Sequence, residues 1–250
     1  MKKLILIALS ITTALACGAI AFAQGAAPTL TATFKTTPTQ AGTKQKPKAG
    51  SFSVKFNVNP ESESTLSRIE YTIPKGVKLD GTGFPTCTVE FIAQNGDTDC
   101  PKGSQVGTGA ATALLGPNKS ALNFDVTVYV DSPKTLSLYL VTNLFTLPIR
   151  AQVAGGKVSF DIPPPVQQPV MGLYSYVTSV TANLGKQSGI PATAKVKGKT
   201  VNFASVVGCA GGKQTGGVKT FFANNPNPPQ VASLETTGSS SCKAAPKPKK

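Results

Sequence analysis

The chain has 250 residues, 25 basic against 11 acidic, a formal charge of +14, and neither His nor Trp. Without His, a Ser-His-Asp or Cys-His catalytic site is excluded, as is any His-ligated zinc, copper or iron centre. Apart from Arg68 and Arg150 the cations are all Lys; these are mobile point charges rather than bidentate phosphate readers, which points to diffuse attraction to anionic surfaces and away from specific nucleic-acid recognition.

Met1, Lys2 and Lys3 precede an uncharged apolar run from Leu4 to Ala16, and Ala21-Phe22-Ala23 then places small residues at an A-x-A site. Residues 1–23 are therefore expected to be a signal peptide cleaved after Ala23. The alternatives are an uncleaved anchor over Leu4 to Ala23 and a lipoprotein at Cys17, whose Ala14-Leu15-Ala16-Cys17 box lacks the usual Leu. Residues 24–50 read as a partly disordered basic segment carrying Lys44, Lys46 and Lys48, with one strand near 30–36.

From residue 51 onward the apolar residues recur with a period of two. Phe52, Val54, Phe56 and Val58 alternate with Ser53, Lys55 and Asn57, and the same pattern returns at Ile69, Tyr71 and Ile73. Strands are also predicted near 87–92, 105–114, 149–153, 158–162, 174–184, 201–207, 217–222 and 229–235, separated by Pro and Gly turns and with no helical apolar stripe. Leu122 to Val130 and Leu136 to Leu140 both keep apolar residues at even numbers, so antiparallel pairing must join even to even. Pairing Val130 with Leu136, Val128 with Leu138 and Val126 with Leu140 satisfies this and leaves an odd-length loop around Ser132, Pro133 and Lys134. Tyr129 and Tyr139 then lie diagonally on the other face, as a surface for stacking sugars, as a pair covered by a second layer, or as ordinary cross-strand stabilisation. The fold class expected is all-β, an antiparallel β-sandwich-like architecture over 51–242. The Pro-rich run from Pro163 to Met171 is expected to be extended, as a linker at a subdomain split near 165 or as an apolar patch for a partner.

The cysteines beyond the leader are Cys87, Cys100, Cys209 and Cys242. An even count in an exported chain predicts disulfides, and local pairing of Cys87 with Cys100 and of Cys209 with Cys242 is the simplest of the three connectivities. No C-x-x-C pair suggests a zinc site, and no metal or cofactor is expected. Asn95, Asp97 and Asp99 alternate like hard-cation ligands, but Asn-Gly-Asp is ordinary turn chemistry. Ser240-Ser241-Cys242-Lys243 matches S-x-x-K only within a Ser-rich tail, and no paired carboxylates stand out, so no catalytic residue is assigned. Lys195, Lys197 and Lys199 form a further basic cluster, and residues 243–250 read as a disordered Lys/Pro tail with Lys243, Lys247, Lys249 and Lys250.

Phe84-Pro85-Thr86-Cys87, followed by Cys100-Pro101-Lys102-Gly103-Ser104-Gln105-Val106-Gly107, resembles a segment of secreted β-rich proteins of high-GC Gram-positive bacteria. In these, a stretch like Ile73-Pro74-Lys75-Gly76-Val77 precedes a P-x-C and then a C-P-x-x-S-x-V-G motif. The likeness continues in patches to Cys242; it implies a secreted β-rich fold and carries no activity. The expected function is that of a secreted, non-catalytic structural or binding protein of the cell envelope or exterior. Tyr129, Tyr139, Lys195, Lys197 and Lys199 are its candidate binding residues, and anionic cell-wall polymers or glycans its partners. The alternative is a carbohydrate-binding or carboxylate-based carbohydrate-active protein.

Overall fold

The computed structural model describes residues 28–59, 63–223 and 232–246. The leader expected at 1–23, Cys17, and Lys247, Lys249 and Lys250 of the tail lie outside the described residues.

The fold is all-β and antiparallel, and its layers come from one 11-stranded sheet that curls almost onto itself, supplemented by two small sheets. Alternation dictates the curl's inside and outside. In β3 (Ser51–Val58) Phe52, Val54, Phe56 and Val58 are buried while Lys55 and Asn57 face solvent. The same apolar-in, polar-out pattern recurs at Leu66, Ile69 and Tyr71 and at Leu122, Phe124 and Val128, the inverse of that on a lipid-facing barrel. Among the described residues no helix is long and apolar enough to cross a membrane.

β3 pairs on one side with β1 (Leu30–Thr37) and on the other with β11 (Ser175–Gly185). β11 in turn pairs with β6 (Gln105–Leu115). A meander of hairpins continues through β7 (Ser120–Ser132), β8 (Thr135–Val141), β9 (Thr146–Ala154) and β10 (Lys157–Asp161). The sheet ends with β4 (Leu66–Thr72), β15 (Lys213–Phe222) and β16 (Ser233–Ser241). The β7–β8 register is the expected one: Val130 faces Leu136, Val128 faces Leu138 and Val126 faces Leu140.

The two edge strands meet without a regular ladder. The Phe34 ring of β1 lies over the cross-strand pair Gly216 and Gly238, where a Cβ would come within 2.8 and 2.6 Å of it. Beyond β1, Ala41 N–H donates to the Lys243 carbonyl and Lys243 N–H to that of Thr39, each at 2.8 Å. Lys243 is thereby tied to the body of the fold, at the head of the segment expected to be a free tail.

One end of the curled sheet is plugged. There β14 (Ala204–Val206) pairs with β2 (Lys48–Ala49) and with β5 (Val77–Leu79), and Phe84 meets Phe203 edge-to-face at 6.0 Å. β12 (Thr193–Val196) and β13 (Lys199–Asn202) form a separate hairpin. The strand expected at 201–207 is thus divided between β13 and β14, and β16 extends through Ser241 into what the sequence suggested was a Ser-rich tail. Strands from both sides of residue 165 interleave: β11 lies between β3 and β6, and β15 pairs with β4.

Two expectations are corrected by short helices. The strand predicted near 87–92 is α1 (Val89–Asn95), started by Thr88, whose hydroxyl accepts from Phe91 N–H, and stopped at Gly96, whose N–H donates to Ile92 O. The run from Pro163 is not extended throughout: α2 (Pro164–Gln167) opens with a proline, which fits a first helical turn where no N–H partner is required. Both predicted disulfides are present, Cys87–Cys100 closing a separation of 13 residues and Cys209–Cys242 one of 33.

Candidate functional site

The inward face of β6 carries the smallest side chains of the sheet. Gly107, Gly109, Ala111 and Ala113 face the same way as their β7 partners Val128, Val126, Phe124 and Leu122. A Cβ at Gly109 would lie 2.7 Å from the Thr181 carbonyl oxygen, so glycine lets β6 and β11 approach at that point. Small residues on this wall, in a sheet that also brings Leu136, Leu138 and Leu140 of β8 to the interior, leave space there. The result is a cavity of about 90 Å³, walled by side chains of β3, β4, β6, β7, β8, β10 and β11.

The connection from β10 to β11 crosses the unplugged end, because the two strands are separated in the sheet by β6, β7, β8 and β9. Ile162 and Val166 of this strap line the cavity. Ser175 Oγ donates to Val166 O at 2.5 Å, and Gly116 N–H donates to Tyr174 O at 2.9 Å, which fastens the strap to the β6–β7 turn. Farther along the strap Met171 is 95% exposed.

The lining is hydrocarbon except for Tyr71 and Thr181. Tyr71 is 5% exposed, its ring held between Phe56 and Phe160 at centroid distances of 6.2 Å. Its hydroxyl has no hydrogen-bond partner, a condition that costs about 1–3 kcal/mol for a buried donor. Burial also pushes its pKa above the ordinary tyrosine value, so it remains a neutral donor across the physiological range.

The tyrosines singled out from the sequence lie elsewhere. Tyr129 is 7% exposed, packed with Cys87 and Ile92, and its hydroxyl donates to Asp97 Oδ2 at 2.9 Å. Tyr139 packs half-buried against the same group. The disulfide loop and α1 form a second layer over Tyr129, and Tyr139 is half-buried beside it. Asp97 is engaged by that tyrosine, and among the described residues no group of three or more acidic or Cys side chains is placed to hold a metal ion.

Asp131, at the end of β7, is 8% exposed, covered by the same layer, and fixes it. Its carboxylate accepts from Val89 N–H at 3.0 Å, Thr135 Oγ1 at 2.5 Å and Arg150 Nε at 3.1 Å. Arg150 also reaches Glu90 at 2.7 Å. Burial alone would raise the Asp131 pKa; the hydrogen bonds from Thr135, Arg150 and Val89 outweigh it and hold the pKa below the ordinary aspartate value.

Lys195, Lys197 and Lys199 are all exposed, presented by the β12–β13 hairpin, with Lys195 Nζ donating to Thr200 Oγ1 at 2.8 Å. Lys44 and Lys46 are exposed in the loop after β1, and Lys48 is half-buried in β2. The cavity was missed from sequence, although its signal was present: Gly107, Gly109, Ala111 and Ala113 occupy alternate positions of one predicted strand. No protein-family model and no curated protein matches this chain.

Proposed function

We propose that the chain is an exported, non-catalytic binding protein that houses a slender apolar ligand within its curled sheet. The observation that carries this reading is the almost entirely hydrocarbon cavity, left by the small residues of β6 and closed by the strap. Dry apolar cavities of comparable kind accept small hydrophobic guests. At about 90 Å³ the space suits a short alkyl group rather than a drug-sized molecule of roughly 300 Å³ or more.

Export is supported by the leader-like residues 1–23 and by the two disulfides, which persist in oxidising compartments. The P-x-C and C-P-x-x-S-x-V-G spacing supports kinship with secreted β-rich proteins of high-GC Gram-positive bacteria. The exposed lysines of the β12–β13 hairpin and of the loop after β1 hold the protein near anionic wall polymers.

The test is titration with butane followed on the methyl resonances of Val126, Leu138 and Leu140. Saturable shifts that vanish in Ala111→Leu, which fills the cavity, are expected; a wild-type interior silent to butane overturns the reading. The lysine contribution predicts that retention on isolated cell wall fades with salt, as the Debye length drops from about 10 Å at 0.1 M to about 3 Å at 1 M. Retention that survives high salt and yields to one free sugar contradicts it.

A further inference from the structure

Positive charge is concentrated at the plugged end of the curled sheet. Residues 38–50, 73–86, 186–212 and 242–246 build that end, and they hold lysines throughout but a single carboxylate, Asp80. Backbone hydrogen bonds lock these segments together: Gly42 N–H donates to Val206 O at 3.0 Å, Val207 N–H to Gly76 O at 2.7 Å, and Lys186 N–H to Gly50 O at 3.0 Å. Phe203 N–H donates to Ala192 O at 3.0 Å, which fastens the β12–β13 hairpin to the same plug. Cys242 N–H donates to Gly212 O at 2.9 Å and so brings Lys213 beside Lys243 at its edge. Lys75, Lys186, Lys213 and Lys243 are therefore fixed on the same end as Lys44, Lys46 and the hairpin lysines, and all are exposed. Asp80 is engaged by Lys78 at 3.2 Å and offsets none of them.

Elsewhere the two signs of charge are mixed. Toward the strap, Lys119 meets Glu63 at 3.5 Å and Arg68 meets Asp161 at 3.1 Å. Lys219 stands in register between Glu70 of β4 and Glu235 of β16, and Arg150 on the flank is held by Asp131 and Glu90. The molecule is thus polarised end to end, with a field that draws anions to the plug and turns that end toward them.

The chemistry of this end defines what it recognises. Lysines attract anionic groups as points and impose no bidentate geometry, so selection is by charge density. Each exposed lysine contributes about 1 kcal/mol or less by itself, so firm binding requires a partner that meets several at once. None of the exposed large apolar side chains, Phe91, Val141, Leu144, Val170 and Met171, belongs to this end. It therefore has no apolar face to sink into a bilayer, as interfacial membrane binders do.

We propose that the plugged end is the docking face for a long, flexible polyanion of closely spaced phosphodiester or uronate groups, held so that the strap points away from it. This rests on the wall-polymer reading above and adds the face that binds, the chemistry bound and the orientation.

The experiment measures binding of long-chain polyphosphate and of polygalacturonate, with orthophosphate and phosphatidylglycerol vesicles alongside, and maps the contact by backbone amide shifts. Wild type is compared with two variants of equal charge, Lys75→Gln/Lys186→Gln/Lys213→Gln at the plug and Lys35→Gln/Lys55→Gln/Lys219→Gln on the side of the sheet. An unchanged thermal transition certifies the fold of each. Expected is polymer binding that weakens about a hundredfold between about 50 mM and about 200 mM salt, as when roughly five phosphates are neutralised. The plug variant loses about tenfold in affinity, as for three ion pairs of about 0.5 kcal/mol each, and the side variant less than about twofold. Amide shifts gather at the plug and are absent at Met171, and orthophosphate, with one group to offer, does not saturate the face. Whichever polymer binds more tightly identifies the anionic group.

Equal losses in the two variants would mean that net charge alone acts, and the face falls while lysine-driven adhesion stands. A plug variant that binds like wild type, or amide shifts centred on the strap, would also remove the face. Vesicles bound more tightly than either polymer at about 0.15 M salt would make the partner a lipid surface and overturn the polyanion assignment. If neither polymer binds, this inference and the wall-polymer reading fail together, while the apolar cavity is untouched.

Discussion

Asp131 ties three elements together through one carboxylate: α1 by the Val89 N–H, the β7–β8 turn by Thr135, and β9 by Arg150. Its pKa is depressed in the folded state, so its contribution is complete above the unfolded aspartate value of about 3.9 and is lost as the pH falls through the lower folded value. Asp131→Asn is expected to destabilise the protein by about 1–3 kcal/mol at neutral pH. It should also shrink the loss of stability on acidification; urea midpoints measured at neutral pH and below the aspartate range check both. A variant that keeps the wild-type acid response would place the titrating group elsewhere. Tyr71 presents the opposite situation, a polar group with nothing to satisfy it. Tyr71→Phe is expected to raise the melting temperature of the empty protein, as read by calorimetry, because an idle buried hydroxyl only costs stability.

At the scale of elements, the two disulfides act on different things. The Cys87–Cys100 loop carries α1 across the outer face of β7 and β8, whereas Cys209–Cys242 joins the approach to β15 with the end of β16. Replacing either pair by Ser should cost about 2–4 kcal/mol, with the larger loss for Cys209–Cys242 because its loop is longer. The Cys87/Cys100 variant alone should expose Tyr129 and Tyr139, read as quenchable tyrosine fluorescence. The meeting of β1 with β15 and β16 depends on the absence of side chains beneath Phe34. Gly216→Val is therefore expected to destabilise by about 1–3 kcal/mol, and a smaller residue at Phe34 to recover part of that loss in a double-mutant cycle. Additive losses would mean the two positions do not press on one another. The β7–β8 hairpin was legible because its apolar residues hold even positions through both strands, which excludes a one-residue slip, and a short Pro-containing turn brings Val130 to Leu136. The Pro-rich strap and α1 were not. A helix of 7 residues has too little length for a period to show; its marks are the caps Thr88 and Gly96, and what keeps it in place is tertiary, the Asp131 carboxylate and the disulfide. Tyr129 and Tyr139 were correctly set on one face, but only the position of α1 decides whether that face is open.

For the whole molecule, apolar-in, polar-out alternation made the all-β antiparallel class readable. The number of sheets was not readable, because a sandwich and a curled single sheet place the same residues inside. The cavity follows from a sum over strands rather than from any one of them: β6 is small where the strands that share its interior are large, and the sequence does not say which strands those are. Interleaving across residue 165 carries its own prediction. A chain ending at 165 lacks β11 and β15, leaving β3 and β4 each without a neighbour. It is expected to show no cooperative unfolding transition by calorimetry; a sharp transition in that fragment would mean that the first half folds alone.

The place of β11 between β3 and β6 also sets a timetable. Ser53 and Asn183 hydrogen-bond across 130 residues of chain, so β3 must remain half-paired while everything up to β11 is synthesised. Such distant pairings slow the search for the native state. Refolding from denaturant should accordingly be slow, and a nascent chain stopped short of β11 should stay open to proteases. Under the export proposed above, that delay would leave the polypeptide time to be threaded, unfolded, through a narrow pore before it closes.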